Sequence, residues 1–412
     1  NSTNSGATQA SNSTDSGATQ ASNSTNSGAT QTSNSTNSSA TQASSDNFTL
    51  SVRSTNSSDD NGDPVSITIT KDNFSDYFLL TGDSSYNQAT GTITLTKDQV
   101  GQAGYVTLKN KISMDRSFDL KGLVYMGNKL DSQGGADGMA FTLHPNNVGQ
   151  VGYSGGSAGM AGIPNALGFK IDTFYNGLSP EVWTDDDPGG VNSPFAAWTK
   201  TNENGIPDIL LNNPSVQYLN KDHFLNSNAG FVPFELSYDA NTKVLKVVMD
   251  GMIWTHTYDE SYTDLALAIS ASTGLSHNLQ QIQLTSFNYS ASPTNIAKQN
   301  AREALEKEVN NIKQDITNDN TLTSSEKSAQ TKVADANYQE ALNNVESQTS
   351  PDGVNQAKDA GIAAIDAAHQ PGTSLADQKQ AAKDALEAEA KKIQAAIDND
   401  VTLTATENSS SY

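Results

Sequence analysis

Cysteine is absent from all 412 residues. That excludes a disulfide-stapled scaffold and thiol catalysis; it is neutral for a bacterial surface protein and unusual for a secreted animal one. Basic residues are scarce, with 24 Lys and Arg against 46 Asp and Glu and a formal net charge of −22. Nucleic-acid binding rests on phosphate neutralisation, so no nucleic acid is expected as partner. Anionic lipid is disfavoured by the same sign, whereas an acidic surface favours cation uptake and solubility. No apolar run approaches membrane-spanning length, so no direct membrane insertion is expected. An initiating methionine and a signal peptide are also missing, and the chain reads as a piece of something longer. Its length has room for two or three domains.

The first 44 residues are four copies of an eleven-residue unit, NSTNSGATQAS in the first, starting at Asn1, Asn12, Asn23 and Asn34. No large apolar residue occurs in the unit, so it cannot offset the ordering entropy of folding. An eleven-residue period makes a coiled coil only with an apolar seam, and there is none. Residues 1–46 are therefore expected to be a disordered linker. Their hydroxyls suit O-glycosylation, as on a surface stalk.

From Phe48 the pattern alternates. Phe48, Leu50 and Val52 share one face, as do Val65, Ile67 and Ile69, then Ile93 and Leu95, then Val106 and Leu108. Leu245, Val247 and Met249 precede Asp250-Gly251, a two-residue hairpin signal, with Ile253 and Thr255 on the returning arm. Leu265, Leu267 and Ile269, then Ile282 and Leu284, close the series. Many short strands with turn signals between them predict a mainly β antiparallel sandwich.

Two stretches carry the chemistry. One runs Gly134-Gly135-Ala136-Asp137-Gly138-Met139-Ala140-Phe141; small residues leave Asp137 little covered at the mouth of a buried strand. The other runs from Gly168 through Asp172-Thr173-Phe174-Tyr175-Asn176 to Asp185-Asp186-Asp187-Pro188. Hard oxygen donors close in sequence, on a loop after a strand, suit Ca2+.

Together these stretches resemble the L-type (legume-like) lectins, whose marks are an Ala-Asp-Gly-x-Ala-Phe strand followed by an Asp-Thr-(Phe/Tyr)-x-Asn strand. The resemblance implies a jelly-roll sandwich over residues 47–291. It implies calcium held by Asp172, the Phe174 carbonyl, Asn176 and one acid of Asp185, Asp186 and Asp187, with Asp187 favoured because it precedes proline. It implies sugar binding by Asp137 and Asn176 and a cis Ala136–Asp137 peptide. A carboxylate accepts from two sugar hydroxyls and an amide both donates and accepts, so these residue types fit that task. A backbone donor is expected at Gly159 or Gly162, a variable loop at Gly274, Leu275 and Ser276, and an aromatic platform among Phe174, Tyr175 and Trp183. The family's second, transition-metal ion is not expected: its Glu ligand is replaced by Lys170, which has no lone pair to give.

Beyond Ser292 the period becomes helical. Ala301, Leu305, Val309, Ile312 and Ile316 form a stripe, Thr323 to Glu326 a capping box, and Ser350-Pro351 a third helix start. The stripe returns at Ala382, Leu386, Ile393 and Ile397, an offset of 81 residues from Ala301 to Ala382. This predicts a three-helix repeat over 292–372 and a partial second one over 373–412. The unit resembles helical spacer repeats of Gram-positive cell-wall proteins.

Rival readings are weaker. Gly152-Tyr153-Ser154-Gly155-Gly156 satisfies Gly-x-Ser-x-Gly, but that motif needs a strand-to-helix elbow. Some glycoside hydrolases share a concanavalin-like jelly roll, yet the second carboxylate they need has Lys170 in its place. The expectation is a non-enzymatic, calcium-dependent lectin module of a Gram-positive serine-rich surface adhesin. It would be extracellular, a monomeric domain displayed multivalently. Its partners would be host glycans or glycoproteins, sialylated ones among them. A hydrolase and a purely structural module are the alternatives.

Overall fold

The structure, a computed structural model, describes residues 62–176, 193–209, 216–225, 230–373, 375–404 and 406. The repeat tract, the strand expected at Phe48–Val52, and Trp183, Asp185, Asp186, Asp187 and Glu407 lie outside the described residues.

Two antiparallel sheets face each other. One has eight strands, in the order Met252–Thr257, Val244–Met249, Val232–Asp239, Phe118–Tyr125, Gln280–Ala291, Thr92–Thr96 and Ser85–Asn87, with Val65–Ile69 also on Gln280–Ala291. The other has nine, running Pro207–Ile209, Phe195–Thr201, Leu167–Asp172, Gly138–His144, Asp264–Ser272, Ala103–Leu108 and Phe78–Gly82, with Gln217–Tyr218 also on Phe195–Thr201 and Ile112–Ser113 also on Asp264–Ser272. Alternation decides which side chains meet between the sheets. Phe169 packs edge-on against Trp198 and Trp254, with centroids 5.4 and 5.2 Å apart, and Phe141 stacks on Phe234 at 4.2 Å. The buried Trp254 indole donates to the Ala196 carbonyl at 3.1 Å, so the two sheets share a polar tie as well as apolar area.

The Asp250-Gly251 turn forms as the sequence indicates. Both residues have positive φ, 51° and 76°, and Met249 pairs with Met252. The returning arm differs in facing. Val247 pairs with Trp254, so Trp254 turns inward and Ile253 is 56 % exposed. A tight two-residue loop sets that register whatever the hydropathy of the arm.

Gln280–Ala291 passes through the single residue Ser292 into the helix Pro293–Asn318, whose Asn295 amide N–H the Ser292 hydroxyl caps at 3.2 Å. Helices Ser324–Glu346 and Pro351–Asp366 complete a bundle that buries Ala301, Leu305, Val309, Ile316, Val345 and Ile365. The repeat recurs in local structure: Asp319 accepts from the Thr321 N–H at 2.7 Å, and Asp400, 81 residues on, accepts from the Thr402 N–H at 2.9 Å. In the last helix, Leu375–Asp398, Leu386 and Ile393 stay exposed, with no other described helix to cover them.

The bundle is joined to the sandwich by polar contacts that are buried at Asn110 and part-buried at Asn295 and Arg302. Asn110 donates to Gln299 Oε1 at 2.8 Å and accepts from the Tyr289 hydroxyl at 2.7 Å; Asn295 donates to Asp264 at 2.9 Å; Arg302 reaches the Lys109 carbonyl and Glu346. Asn110→Ala strands two buried polar groups and is expected to cost about 1–3 kcal/mol in chemical denaturation. A cost within error of zero would mean that water replaces Asn110 freely.

Candidate functional site

Four segments meet at one end of the nine-stranded sheet. The first holds Asp137, just before Gly138–His144. Its N–H donates to the Ser272 carbonyl at 3.1 Å, and its own carbonyl accepts from the Thr173 N–H and hydroxyl, both at 2.8 Å. The Ala136–Asp137 peptide is cis, as the family resemblance implies. Glycine is required at 138, where a Cβ would sit 2.4 Å from the Ile171 carbonyl oxygen. Contrary to the expectation that small neighbours leave it little covered, Asp137 is 6 % exposed, and burial pushes its carboxyl up to about 6 against the opposing charge of Lys170.

The second segment ends Leu167–Asp172, a strand buried throughout. Phe169 and Ile171 face the core; Lys170 and Asp172 face the other way. Lys170 Nζ lies 2.6 Å from Asp172 Oδ2, each side chain 1 % exposed. Lys170 sits between Ala140 and Ala197 on the neighbouring strands, whose small side chains leave room for it. Asp172 Oδ1 accepts from the Phe174 N–H at 2.9 Å, which starts the turn that carries Phe174, Tyr175 and Asn176. Phe174 and Asn176 are half-buried; Tyr175 is 40 % exposed.

The third segment is the Gly-rich loop at 152–162. Ala158, Met160 and Ile163 pack with Ala140 on the outer face of the sheet, and Gly155 exchanges hydrogen bonds of 3.0 and 2.8 Å with the Ser272 hydroxyl. Gly159 has φ 88° and is buried beside Ser270 and Tyr105. The Gly162 N–H donates to the Gly205 carbonyl at 2.8 Å. Gly156, which sequence reasoning did not single out, is the loop residue against Asn176: a Cβ there would come 2.8 Å from the amide. Ser154 lies in this loop and not between a strand and a helix, so the Gly-x-Ser-x-Gly pattern has no elbow behind it.

The fourth segment follows Asp264–Ser272. A Cβ on Gly274 would lie 3.8 Å from Asp137 Oδ2, the Gly274 N–H donates to the Ser276 carbonyl at 3.1 Å, and Leu275 projects at the tip, 91 % exposed. Next to it, Asp98 Oδ1 lies 2.6 Å from His277 Nδ1 and 2.5 Å from Lys129 Nζ. Burial raises the Asp98 carboxyl, but the bonds from Lys129 and His277 outweigh it and hold the group below its usual range. This anchor had no local signal in sequence, since its members are drawn from three distant segments.

Asp137, Asn176, Gly274 and the Gly-rich loop are thus brought together, with Asp172 beneath them. Among the described residues no three acidic or histidine side chains converge on one point. The donors present, a buried carboxylate, a half-buried amide and the Phe174 carbonyl, are all hard oxygens and fit calcium. The Lys170 ammonium occupies Asp172 Oδ2, where it would repel a second divalent ion.

Comparison with known proteins agrees with this architecture. The staphylococcal protein "Serine-rich adhesin for platelets" (Staphylococcus aureus) is 34 % identical over 236 residues, 55 % of this chain and 10 % of that protein. The chain therefore spans about a tenth of that relative's length. Solved structures with a similar fold include basic winged bean lectin with Tn-antigen, at 18 % identity and TM-score 0.41, covering 56 % of this chain and 99 % of that one. The VIP36 exoplasmic/lumenal domain in its Ca2+/Man-bound form is 13 % identical with TM-score 0.40, covering 52 % and 82 %. Residues 297–373 match DUF1542, a domain of unknown function. The profile described as "Legume lectin beta-barrel domain" matches residues 69–286, more than half of the sequence, and with the two-sheet sandwich now described the chain belongs to that family.

Proposed function

We propose that this chain is the calcium-dependent, carbohydrate-binding part of a bacterial cell-surface adhesin, and that it binds host glycans without turning them over. The observation that carries the reading is that Asp137, bonded to the Ser272 and Thr173 backbone, borders Gly274, while Asn176 lies against Gly156 of the loop that Gly155 ties to Ser272. Asp137 accepts from two sugar hydroxyls, Asn176 donates and accepts, and backbone N–H groups of the Gly-rich loop donate. Tyr175 offers an exposed ring for the sugar's C–H face, with the half-buried Phe174, and Trp183 outside the described residues, as the other candidates. Asp172, the Phe174 carbonyl, Asn176 and one acid of Asp185, Asp186 and Asp187 hold the calcium, which supplies a fixed positive charge at the base of the site when bound. The helical repeats act as a spacer, and weak single sites gain strength from display in many copies.

A glycan array that includes sialylated structures, run with calcium and with chelator, tests the reading. Signal is expected on a subset of glycans with calcium and on none with chelator. A blank array with calcium present leaves the structural module, and turnover of a chromogenic glycoside establishes the hydrolase instead.

A further inference from the structure

The eight-stranded sheet carries a second surface that the Asp137 site does not use. Its outward residues line up in ranks set by strand register. One rank reads Ser85, Thr94, Gln281 and Tyr125 across four strands, with Phe231 just ahead of Val232–Asp239; Ser85 pairs with Thr94, Thr94 with Gln281, and Gln281 with Tyr125. Phe231 adjoins Tyr125, their rings 5.6 Å apart and tilted by 39°. The adjacent rank reads Asn87, Thr92, Gln283, Leu123 and Pro233, paired in the same way. None of these ten positions is charged, and each is half-buried or exposed. The following rank brings charge back, with Lys121 opposite Glu235.

The amides in these ranks are held. Gln281 Nε2 donates to the Thr94 hydroxyl at 2.9 Å, and Gln283 Nε2 donates to the Thr90 carbonyl at 2.6 Å. A side-chain amide has two N–H donors and a carbonyl oxygen, so each keeps one donor and an acceptor for a ligand. A groove of about 450 Å³ runs between Phe231 and the Ser85–Asn87 strand, lined by the Thr92, Thr94 and Gln281 side chains.

We propose that this groove is a second saccharide-binding site, specific for uncharged glycans and independent of calcium. Fixed amides and hydroxyls match ring hydroxyls, which are themselves both donors and acceptors. Phe231, whose ring Tyr125 backs, closes one end with apolar ring surface suited to a sugar's C–H face. Among the described residues lining the groove there is no cation to reward a carboxylate or phosphate, so a neutral chain is selected. Five strands at about 4.8 Å spacing give a rank roughly 19 Å long, enough for a short oligosaccharide rather than a single residue. The groove lies on the opposite side of the sandwich from Asp172, whose strand turns Phe169 and Ile171 toward the eight-stranded sheet and Asp172 away from it. The site therefore stands or falls independently of the Asp137 reading.

Affinity electrophoresis of the full chain, in native gels cast with galactomannan, β-glucan or glycogen and with chelator present, tests it. At least one polymer is expected to retard the wild-type chain, and Asp137→Ala to be retarded equally. Phe231→Ala and Gln281→Ala are expected to weaken that retardation roughly tenfold, about 1.4 kcal/mol. Migration unaffected by all three polymers overturns the proposal. So does retardation indifferent to the groove variants, or a wild-type dimer that these variants dissociate in sedimentation, which would make the groove an interface between copies.

Discussion

Lys170→Met costs about 3–5 kcal/mol of folding stability in chelator, and calcium restores much of it; urea denaturation with and without the ion reads both effects. Lys170 and Asp172 are 2.6 Å apart and each only 1 % exposed. Removing the ammonium leaves a carboxylate in surroundings that include Ala140, Ala197 and the Phe195 ring, where water is excluded. A buried ion pair stripped of one member loses the Coulomb term while the desolvation cost remains. On the proposed reading, calcium bound beside Asp172 would supply positive charge in place of the ammonium. The double variant Lys170→Met, Asp172→Leu removes both charges. It is expected to lie near the wild type in chelator and to gain nothing from calcium. A single Lys170→Met variant as stable as the wild type in chelator would show that the pair contributes nothing.

On the proposed reading, Asp137→Ala is expected to abolish glycan binding with the sandwich intact. Two charge-assisted hydrogen bonds to sugar hydroxyls, at about 1.5–3 kcal/mol each, amount to at least a hundredfold in affinity. Surface plasmon resonance on immobilised glycans from the array measures it, and a loss under tenfold would move the recognition centre elsewhere. The same residue gives a pH signature. Burial raises the folded Asp137 carboxyl from 3.8 to about 6, so the folded state holds this proton more tightly than the unfolded chain. The resulting stabilisation is complete below about pH 3.8 and is lost as pH rises through about 6, which amounts to about 3 kcal/mol in metal-free protein at neutral pH. Asp137→Asn is therefore expected to raise the melting temperature of the chelated protein at pH 7.5 and to leave it unchanged at pH 3.5. Equal melting temperatures at pH 7.5 would mean that the carboxylate is solvated.

Much of the fold was legible because burial writes a period into the chain. Leu265, Leu267 and Ile269 alternate because the Asp264–Ser272 strand is flanked by Gly138–His144 and Ala103–Leu108 and covered on its inner face. The helical stripe from Ala301 to Ile316 was equally plain, as were the Thr323 and Ser350 caps, since a cap is satisfied within three residues. The facing of Ile253 was not, because the turn at Asp250-Gly251 sets the register of that arm and hydropathy does not.

At the site the division is sharper. The residue types of Asp137, Asp172 and Asn176 and the order of their strands are written locally; they pointed to hard-oxygen chemistry, and the family resemblance that they carry implied the hydroxyl-reading role. Only the folded chain decided that Gly156 lies on Asn176, that Gly274 borders Asp137, that Lys170 is spent on Asp172, and that Asp98, Lys129 and His277 converge. Each of these joins residues far apart in sequence or turned to one face by strand pairing. Such contacts depend on which strands pair and in which register, a global outcome of burying two sheets against each other, and no short stretch of sequence encodes it.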